Sequence, residues 1–184
     1  MNLDHQTIAR VLGVSEAKVS HNWPLIQASM QKHDCYSDLS AAGALATIRV
    51  EAPPFAPINE YGNDAYFTRM YEHRTDLGNK EVGDGAKFHG RGYIQLTGRA
   101  NYERYGHLLG IDLAGNPDLA LVPENAAELF ALFWTQHQLR EVCDKTQWLL
   151  CRKRVNGGLN GYETFSRYLW PLLKEGGYLA PASQ

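Results

Sequence analysis

One segment constrains the fold more than any other: SDLSAAGALATIRVE at residues 37–51. Its apolar side chains recur at helical spacing, which predicts a helix with one buried face. That stripe consists of Leu39, Ala42, Leu45, Ala46 and Ile48. Pro53 and Pro54 follow, and proline cannot continue a helix because it lacks a backbone N–H. The helix is therefore predicted to end near Glu51, which puts a carboxylate at the end of a buried element.

Helical patterns recur on both sides of this segment. Upstream, residues 4–12 and 15–33 are predicted to form two helices that Gly13 separates. Downstream, helical periodicity is found at residues 101–110, 123–139, 140–154 and 163–176. A chain of 184 residues fits one domain, and this one is predicted to be mainly α. The tail from Gly176 is predicted to be frayed.

Residues 52–92 interrupt the helical pattern with a polar stretch that Gly and Pro mark throughout. Short strands are expected only around residues 86–97. A stretch this long with little regular structure is uncommon in a compact domain unless it has a function. We therefore expect a small β or irregular element to carry part of the functional site.

Composition and charge exclude several classes of protein. The net charge of −2 and the 44% share of hydrophobic residues are those of an ordinary globular protein. The stretch TIARVLGVSEAKV resembles the start of a helix-turn-helix, but HNWPLIQ follows in place of a basic recognition helix. No nucleic-acid partner is expected.

The cysteines and histidines predict neither a metal site nor a cofactor. The 3 cysteines have no C-x-x-C spacing and the 7 histidines no H-x-x-x-H pair, so the cysteines are expected to be free thiols. No apolar run approaches the roughly 18 residues of a membrane span. The first residues lack the apolar core of a secretory signal. We expect a protein made in the cytoplasm without stable insertion into a membrane.

Two glutamates are candidates for acid–base chemistry, since glycosidases generally place a protonated and an ionised carboxyl group across the scissile bond. Partial burial and the helix dipole at the end of its helix would raise the pKa of Glu51, which suits an acid. Glu72 lies in the polar region, where a solvated carboxylate can act as a base. From the residues alone, Glu51 also fits an ion pair with Arg49 or Arg91. Glu72 equally fits a surface pair.

The segment FHGRGYIQLTGRANY at residues 88–102 combines glycines with polar side chains. Its glycines permit close approach of the backbone. In an extended segment Gln95 and Thr97 would share one face, and an amide beside a hydroxyl suits the donors and acceptors of a sugar. A buried strand with satisfied polar groups fits the same residues.

Four motifs in order resemble the glycoside hydrolase family 19 chitinases and their bacteriophage endolysin relatives. GRGYIQLTGRANY resembles the core motif, and YEHRTDLGNKEVGDGAKFHGRG before it resembles the endolysin branch. LFALFWT at 129–135 and RVNGGLNG at 154–161 resemble the aromatic helix and the NGG motif. The resemblance implies a lysozyme-like domain in two lobes, with the small β or irregular element lining the cleft. Residues 37–175 would form its core, 1–36 helices packed on it, and 176–184 a tail.

The resemblance also implies roles for individual residues. Glu51 matches the catalytic acid, Glu72 the base, and Thr97 a residue that helps hold the attacking water. The implied substrate-binding residues are Arg91, Tyr93, Gln95, Asn101, Asn156 and Arg167. The sequence departs from the family directly after the acid, where RVEAPPFAPINEYG replaces a glycine-rich turn. Glu60 lies in that stretch and is the alternative base, but the residues that flank Glu72 match better.

The function that follows is that of an endolysin: inverting hydrolysis of β-1,4 bonds in the glycan strands of peptidoglycan. A chitinase and a lytic transglycosylase are alternatives with related chemistry, and a non-catalytic wall-binding module is one from another class. The enzyme is expected to be a monomer. It would be made in the host cytoplasm without a signal peptide and reach the wall through a separate membrane pore.

Overall fold

The computed structural model describes residues 3–179, and over that range the chain is mainly α-helical, as the sequence predicts. The α-helices are α1 (His5–Leu12), α2 (Glu16–Lys32), α3 (Asp38–Glu51), α4 (Asp64–Tyr71), α5 (Asp84–Lys87), α6 (Arg99–Leu109), α7 (Pro123–Gln136), α8 (Leu139–Asp144), α9 (Trp148–Asn156) and α10 (Tyr162–Glu175). The strands β1 (Ile58–Asn59) and β2 (Arg91–Gly92) form one small sheet, and Thr75–Leu77 and Pro117–Leu121 are 3₁₀ turns.

The described residues fall into two compact units. Unit 1 comprises the chain up to Phe55 together with the chain from Phe130, and unit 2 comprises Ala56–Leu129. The number of units agrees with the two lobes that the resemblance to family 19 implies. That all 184 residues act as a single catalytic domain stays a prediction.

Helix α3 is the centre of unit 1, and its sequence explains why. Ser37 caps it by accepting a hydrogen bond from the N–H of Ser40, and every residue from Ser40 to Ile48 is buried. Small residues let neighbouring helices approach closely: a Cβ on Gly43 would lie 2.8 Å from the sulfur of Cys143 on α8. The indole of Trp134 donates to the Ser40 hydroxyl at 2.8 Å. Packing of this kind fixes the position at which α3 ends.

Unit 2 contains more regular structure than the sequence predicts. Helix α4 was not expected, because Phe67 is its only buried residue and so its apolar periodicity is weak. Asn63 nevertheless caps it by accepting from the N–H of Tyr66. Strand β2 lies within the predicted range, and it pairs antiparallel with β1 through Ile58↔Gly92 and Asn59↔Arg91. This pairing brings the stretch after Glu51 against the GRG motif.

Two expectations about local conformation were wrong. Residues after β2 form a turn closed by reciprocal hydrogen bonds between the backbones of Arg91 and Leu96, at 3.2 and 2.9 Å, so Gln95 and Thr97 do not share the face of an extended strand. The chain is also ordered from Gly176 to Leu179, because the N–H of Tyr178 donates to Leu173 and its hydroxyl to Asp38. The rest of the predicted tail, residues 180–184, lies outside the described residues.

The described range also bears on membranes, metals and thiols. None of its helices is both long enough and apolar enough to cross a membrane. Within residues 3–179 there is no group of three or more His, Cys, Asp or Glu side chains that could hold a metal. Cys35, Cys143 and Cys151 are free, as predicted, and all three are buried.

Candidate active site

Glu51 ends helix α3 in unit 1 and forms an ion pair that the sequence did not predict. Its Oε1 accepts from Nη1 of Arg152 at 2.5 Å, and the Glu51 side chain is 19% exposed. Arg49, one expected partner, instead donates to the carbonyl of Leu12 and lies over the ring of Tyr168. Glu51 is therefore a partly exposed carboxylate with a guanidinium on one of its oxygens.

Arg152 is the residue that sequence reasoning missed. It belongs to a run of three basic residues, Arg152–Arg154, yet its side chain is only 3% exposed. Its Nε donates to the carbonyl of Asn160 at 2.7 Å. The available signal was spacing, because Arg152 continues the apolar stripe of Trp148 and Cys151 on α9. A cation at such a position needs a buried partner, and that partner is Glu51.

The two other predicted site residues of unit 1 are exposed. Asn156 organises the turn after α9: its Oδ1 accepts from the N–H of Gly158 at 3.1 Å and its Nδ2 donates to Asn160 at 2.8 Å. Arg167 lies 3.7 Å from Glu163 in a surface pair along α10. Their roles in substrate binding stay predictions.

Glu60, the alternative base, lies directly after β1 in unit 2. Its N–H donates to the carbonyl of Gly90 at 2.8 Å, and its Oε2 accepts from the N–H of Gly90 at 3.0 Å. Its Oε1 accepts from the hydroxyl of Tyr71 at 2.7 Å. Burial is the main cause that raises the pKa of the Tyr71 phenol, and the hydrogen bond to Glu60 raises it further. The phenol therefore remains a donor at neutral pH. Glu60 is thus held by two neutral donors.

Gln95 lies beside Glu60. Its Nε2 donates to the carbonyls of Ile58 and Gly92, at 3.2 and 3.1 Å, and its backbone is left-handed with φ 54°. A Cβ on Gly90 would lie 2.9 Å from Oε1 of Gln95 and 3.1 Å from Oε2 of Glu60. Glycine at position 90 is what allows the amide and the carboxylate to approach the same backbone.

Glu72 directly follows helix α4 and makes different contacts. Its two oxygens accept from the N–H groups of Gly83 and Gly85, at 2.7 and 2.8 Å, where α5 begins. These hydrogen bonds, that from Gly83 first, lower the pKa of Glu72. A Cβ on Gly85 would lie 2.7 Å from the backbone nitrogen of Glu72. The carboxylate and the glycines together close the loop between α4 and α5.

Asp84 and Arg99 fasten the same loop to α6. Arg99 donates to both oxygens of Asp84, through Nε at 2.8 Å and through Nη2, and Asp84 also accepts from the N–H groups of Lys80 and Glu81. Asn79 adds a hydrogen bond from the N–H of Arg99. Between Glu72 and Arg99, many of the residues that resemble the endolysins thus serve to hold the loop in one conformation.

The Asp84 carboxylate predicts a dependence of stability on pH. Burial alone would raise its pKa, but the hydrogen bonds from Arg99, Glu81 and Lys80 outweigh it and lower the pKa from 3.8 to about 2. A carboxyl group whose pKa is lower in the folded state stabilises the fold above its unfolded pKa and loses that effect as the pH falls through the folded value. We expect the free energy of unfolding to fall by about 2 kcal/mol between pH 4 and pH 2.

Urea unfolding as a function of pH tests this expectation. Asp84→Asn should lower stability at pH 7 and flatten the decline between pH 4 and pH 2. The exposed Asp76, which pairs with Arg74 at the surface, provides the control Asp76→Asn. If the free energy of unfolding of Asp84→Asn falls between pH 4 and pH 2 by as much as that of the parent, Asp84 is not the group responsible.

Two predicted substrate-binding residues of unit 2 lie in its interior. The Tyr93 side chain has no exposed surface, and Arg91 is buried with hydrogen bonds to Asp118, Tyr102 and the carbonyls of Lys87 and His89. Both side chains pack in the interior of unit 2, and the substrate-binding roles that the sequence predicts for them stay predictions. The sequence could not separate these roles, because aromatic and arginine side chains are also common in sugar sites.

Thr97 and Asn101 remain partly exposed. The Thr97 hydroxyl donates to the carbonyl of Gln95 at 2.8 Å, and Nδ2 of Asn101 donates to the carbonyl of Thr97 at 2.7 Å. Since the Thr97 hydroxyl is used as a donor, its oxygen can still accept a hydrogen bond. That geometry is compatible with holding a water molecule.

The family model for class I chitinases, glycoside hydrolase family 19, matches residues 56–147, half of the chain. The chain belongs to glycoside hydrolase family 19. Glu60, Glu72, Gln95, Thr97 and Asn101 lie in the matched range, whereas Glu51, Arg152, Asn156 and Arg167 lie outside it.

Relatives within family 19 come from bacteria and plants. A family 19 domain-containing protein of Haemophilus influenzae is 35% identical over 100 residues, 52% of this chain and 46% of that protein. The acidic 27 kDa endochitinase of Solanum lycopersicum is 44% identical over 55 residues, 29% of this chain and 22% of that protein. Each match therefore spans less than half of the relative's own length.

Solved structures of the family share the fold. Chitinase C of Streptomyces griseus superposes with a TM-score of 0.73 at 19% identity, over 97% of this chain and 78% of that one. A second bacterial family 19 chitinase gives a TM-score of 0.68 at 19% identity, over 91% and 93% of the two chains. The lysozyme-like, mainly helical fold class is thereby confirmed.

Proposed function

We propose that this family 19 chain hydrolyses β-1,4 bonds in the glycan strands of bacterial peptidoglycan, with inversion at the anomeric carbon. The observation that carries the proposal is the cluster of Glu60, Gln95 and Gly90, which joins a carboxylate to an amide inside the segment that matches the family. An endolysin origin and release through a separate membrane pore belong to the same proposal. The likeness of the RTDLGN stretch to endolysins supports them.

In this proposal Glu51 is the general acid. A general acid must deliver a proton to the leaving oxygen, and Glu51 keeps one oxygen outside its pair with Arg152. The ion pair with the buried guanidinium of Arg152 holds the carboxyl group in one orientation. A fixed orientation favours catalysis, because the carboxyl group must deliver its proton to one particular oxygen of the substrate.

We propose Glu60, rather than Glu72, as the general base. Glu72 accepts backbone hydrogen bonds on both oxygens, and its lowered pKa makes it a poorer proton acceptor. Glu60 is held by a phenol and one amide, and it adjoins Gln95. In an inverting enzyme the base activates a water molecule, and Thr97 can accept a hydrogen bond from that water.

Chitin is the second candidate substrate, because several relatives bear the name endochitinase. Chitin and peptidoglycan share N-acetylglucosamine and the β-1,4 bond, so the carboxylates do not separate them. Parallel digestion of purified peptidoglycan and colloidal chitin, with release of reducing sugar as the readout, makes the distinction. We expect faster release from peptidoglycan, and release from chitin alone would replace the proposed substrate.

A further inference from the structure

Unit 1 contains a cavity that the proposed chemistry does not use. It has a volume of about 450 Å³ and opens at the turn between α8 and α9. Thr146, Gln147, Trp148, Tyr162 and Trp170 contribute to its lining, together with two leucines. None of the described side chains that line it carries a charge. A smaller cavity of about 300 Å³ shares Thr146, Trp148 and Trp170 with it.

Two of the three aromatic side chains that line this cavity pack against Phe165. Phe165 is fully buried, and its ring lies 6.5 Å from that of Trp148 and 6.1 Å from that of Tyr162, measured between centroids. Trp148 is only 5% exposed, whereas Trp170 is 43% exposed. Trp170 is therefore the exposed indole of a pocket whose other two aromatic rings pack against a buried phenylalanine.

Thr146 gives the cavity a strained wall. Its backbone is left-handed with φ 54°, which is unfavourable for a β-branched residue. Its N–H donates to the carbonyl of Cys143 at 2.8 Å, and its carbonyl accepts from the N–H of Trp148 at 3.0 Å. Strain that the surrounding fold maintains is concentrated at ligand sites in proteins. Thr146 and Gln147 also supply a hydroxyl and an amide to an otherwise apolar lining.

We propose that this cavity is a second glycan-binding site, in which a neutral chain of N-acetylated hexoses stacks on Trp170. A pyranose ring has an apolar face of C–H groups and a rim of hydroxyl and acetamido groups. An uncharged pocket with one exposed indole, one tyrosine, a hydroxyl and an amide matches both features. A charged ligand would find no opposite charge in the lining. The choice of sugar rests on the proposed function.

Binding to insoluble peptidoglycan tests the proposal, measured by sedimentation in the cold with the Glu60→Gln protein so that the polymer stays intact. Trp170→Ala should weaken binding about tenfold, since a glycan stacked on the exposed indole would lose its aromatic anchor. Trp170→Phe should restore most of the affinity, because it retains a ring. Leu108→Ala, which truncates an exposed apolar residue of unit 2, is the matched control and should bind like the parent.

Tryptophan fluorescence gives a second readout that does not need the polymer. Trp23 and Trp134 are buried away from the lining, and Trp148 in the lining is only 5% exposed, so a soluble tetramer of N-acetylglucosamine should change mainly the emission of Trp170. A change of equal size in Trp170→Phe would come from elsewhere and would overturn the proposal. Equal sedimentation of Trp170→Ala and the parent, with both melting alike, would also overturn it.

The two proposals fail separately. If the parent hydrolyses peptidoglycan but Trp170→Ala binds it as tightly as the parent does, the second site is wrong and the proposed function stands. If the parent releases no sugar yet binding depends on Trp170, the proposed function is wrong and the binding site stands. Analytical ultracentrifugation tests whether the cavity instead binds a second copy of this chain. Self-association that depends on Trp170 would overturn the proposal that the cavity binds a glycan.

Discussion

Glu60→Gln is expected to lower the rate of peptidoglycan hydrolysis by about 100- to 10,000-fold, the range that one general acid or base contributes. Glutamine keeps an oxygen that can accept from Tyr71 or Gly90 but cannot take a proton from water. The measurement is the initial rate of release of reducing ends, with thermal unfolding followed by circular dichroism to show that the variant is folded.

Glu72→Gln is the matched comparison, since both glutamates lie in unit 2 and the chemical change is identical. Its amide nitrogen would face the N–H of Gly83 or Gly85, so the melting temperature should fall while the folded protein keeps most of its activity. A folded Glu72→Gln protein without activity, beside an active Glu60→Gln protein, would return the role of base to Glu72.

Glu51→Gln is expected to lose activity to a similar extent, but with a second effect on stability. The change leaves the buried guanidinium of Arg152 without its counter-charge, which costs about 3 kcal/mol. Replacing both residues, as in Glu51→Gln with Arg152→Met, removes the unpaired charge and should recover much of that stability. Activity should not recover, because the proton donor is still missing.

This double variant separates two explanations for a weak Glu51→Gln enzyme. Chemical unfolding gives the stability of each protein, and the hydrolysis rate is measured well below each melting temperature. Activity that returns together with stability would mean that Glu51 supports the fold and is not the acid.

Much of the fold could be predicted because its helices carry strong local signals. The stripe of α3, the prolines after it and the glycine after α1 each act within one or two turns. Helix α4 was not predicted because a single buried residue, Phe67, makes no periodic pattern. Strand β1, the partner of β2, was not predicted either. Its two residues carry no sequence signal of their own, and strand pairing depends on contacts between residues far apart in the sequence.

The candidate site was predicted less well than the fold, for a physical reason. Residue types that bind sugars also build interiors, so the sequence alone could not show that Arg91 and Tyr93 are buried. The residues that flank Glu72 match the endolysins, but their contacts show a role in holding a loop. Glu72 binds the N–H groups of Gly83 and Gly85, and Asp84 pairs with Arg99. The pairing of Glu51 with Arg152 joins residues 101 positions apart, which local patterns do not reveal.

Identification of the new chain ends, after digestion of purified peptidoglycan in water enriched in oxygen-18, tests the central claim most directly. Hydrolysis of a glycosidic bond places one atom of solvent oxygen on each new reducing end, and mass spectrometry should find one label per cleaved glycan bond. Glu51→Gln and Glu60→Gln should each lower the yield of labelled ends by about 100-fold or more in the same digestion time. Anhydro-sugar ends without label, or intact glycan with cleaved peptides, would contradict the claim that this chain is a wall glycan hydrolase.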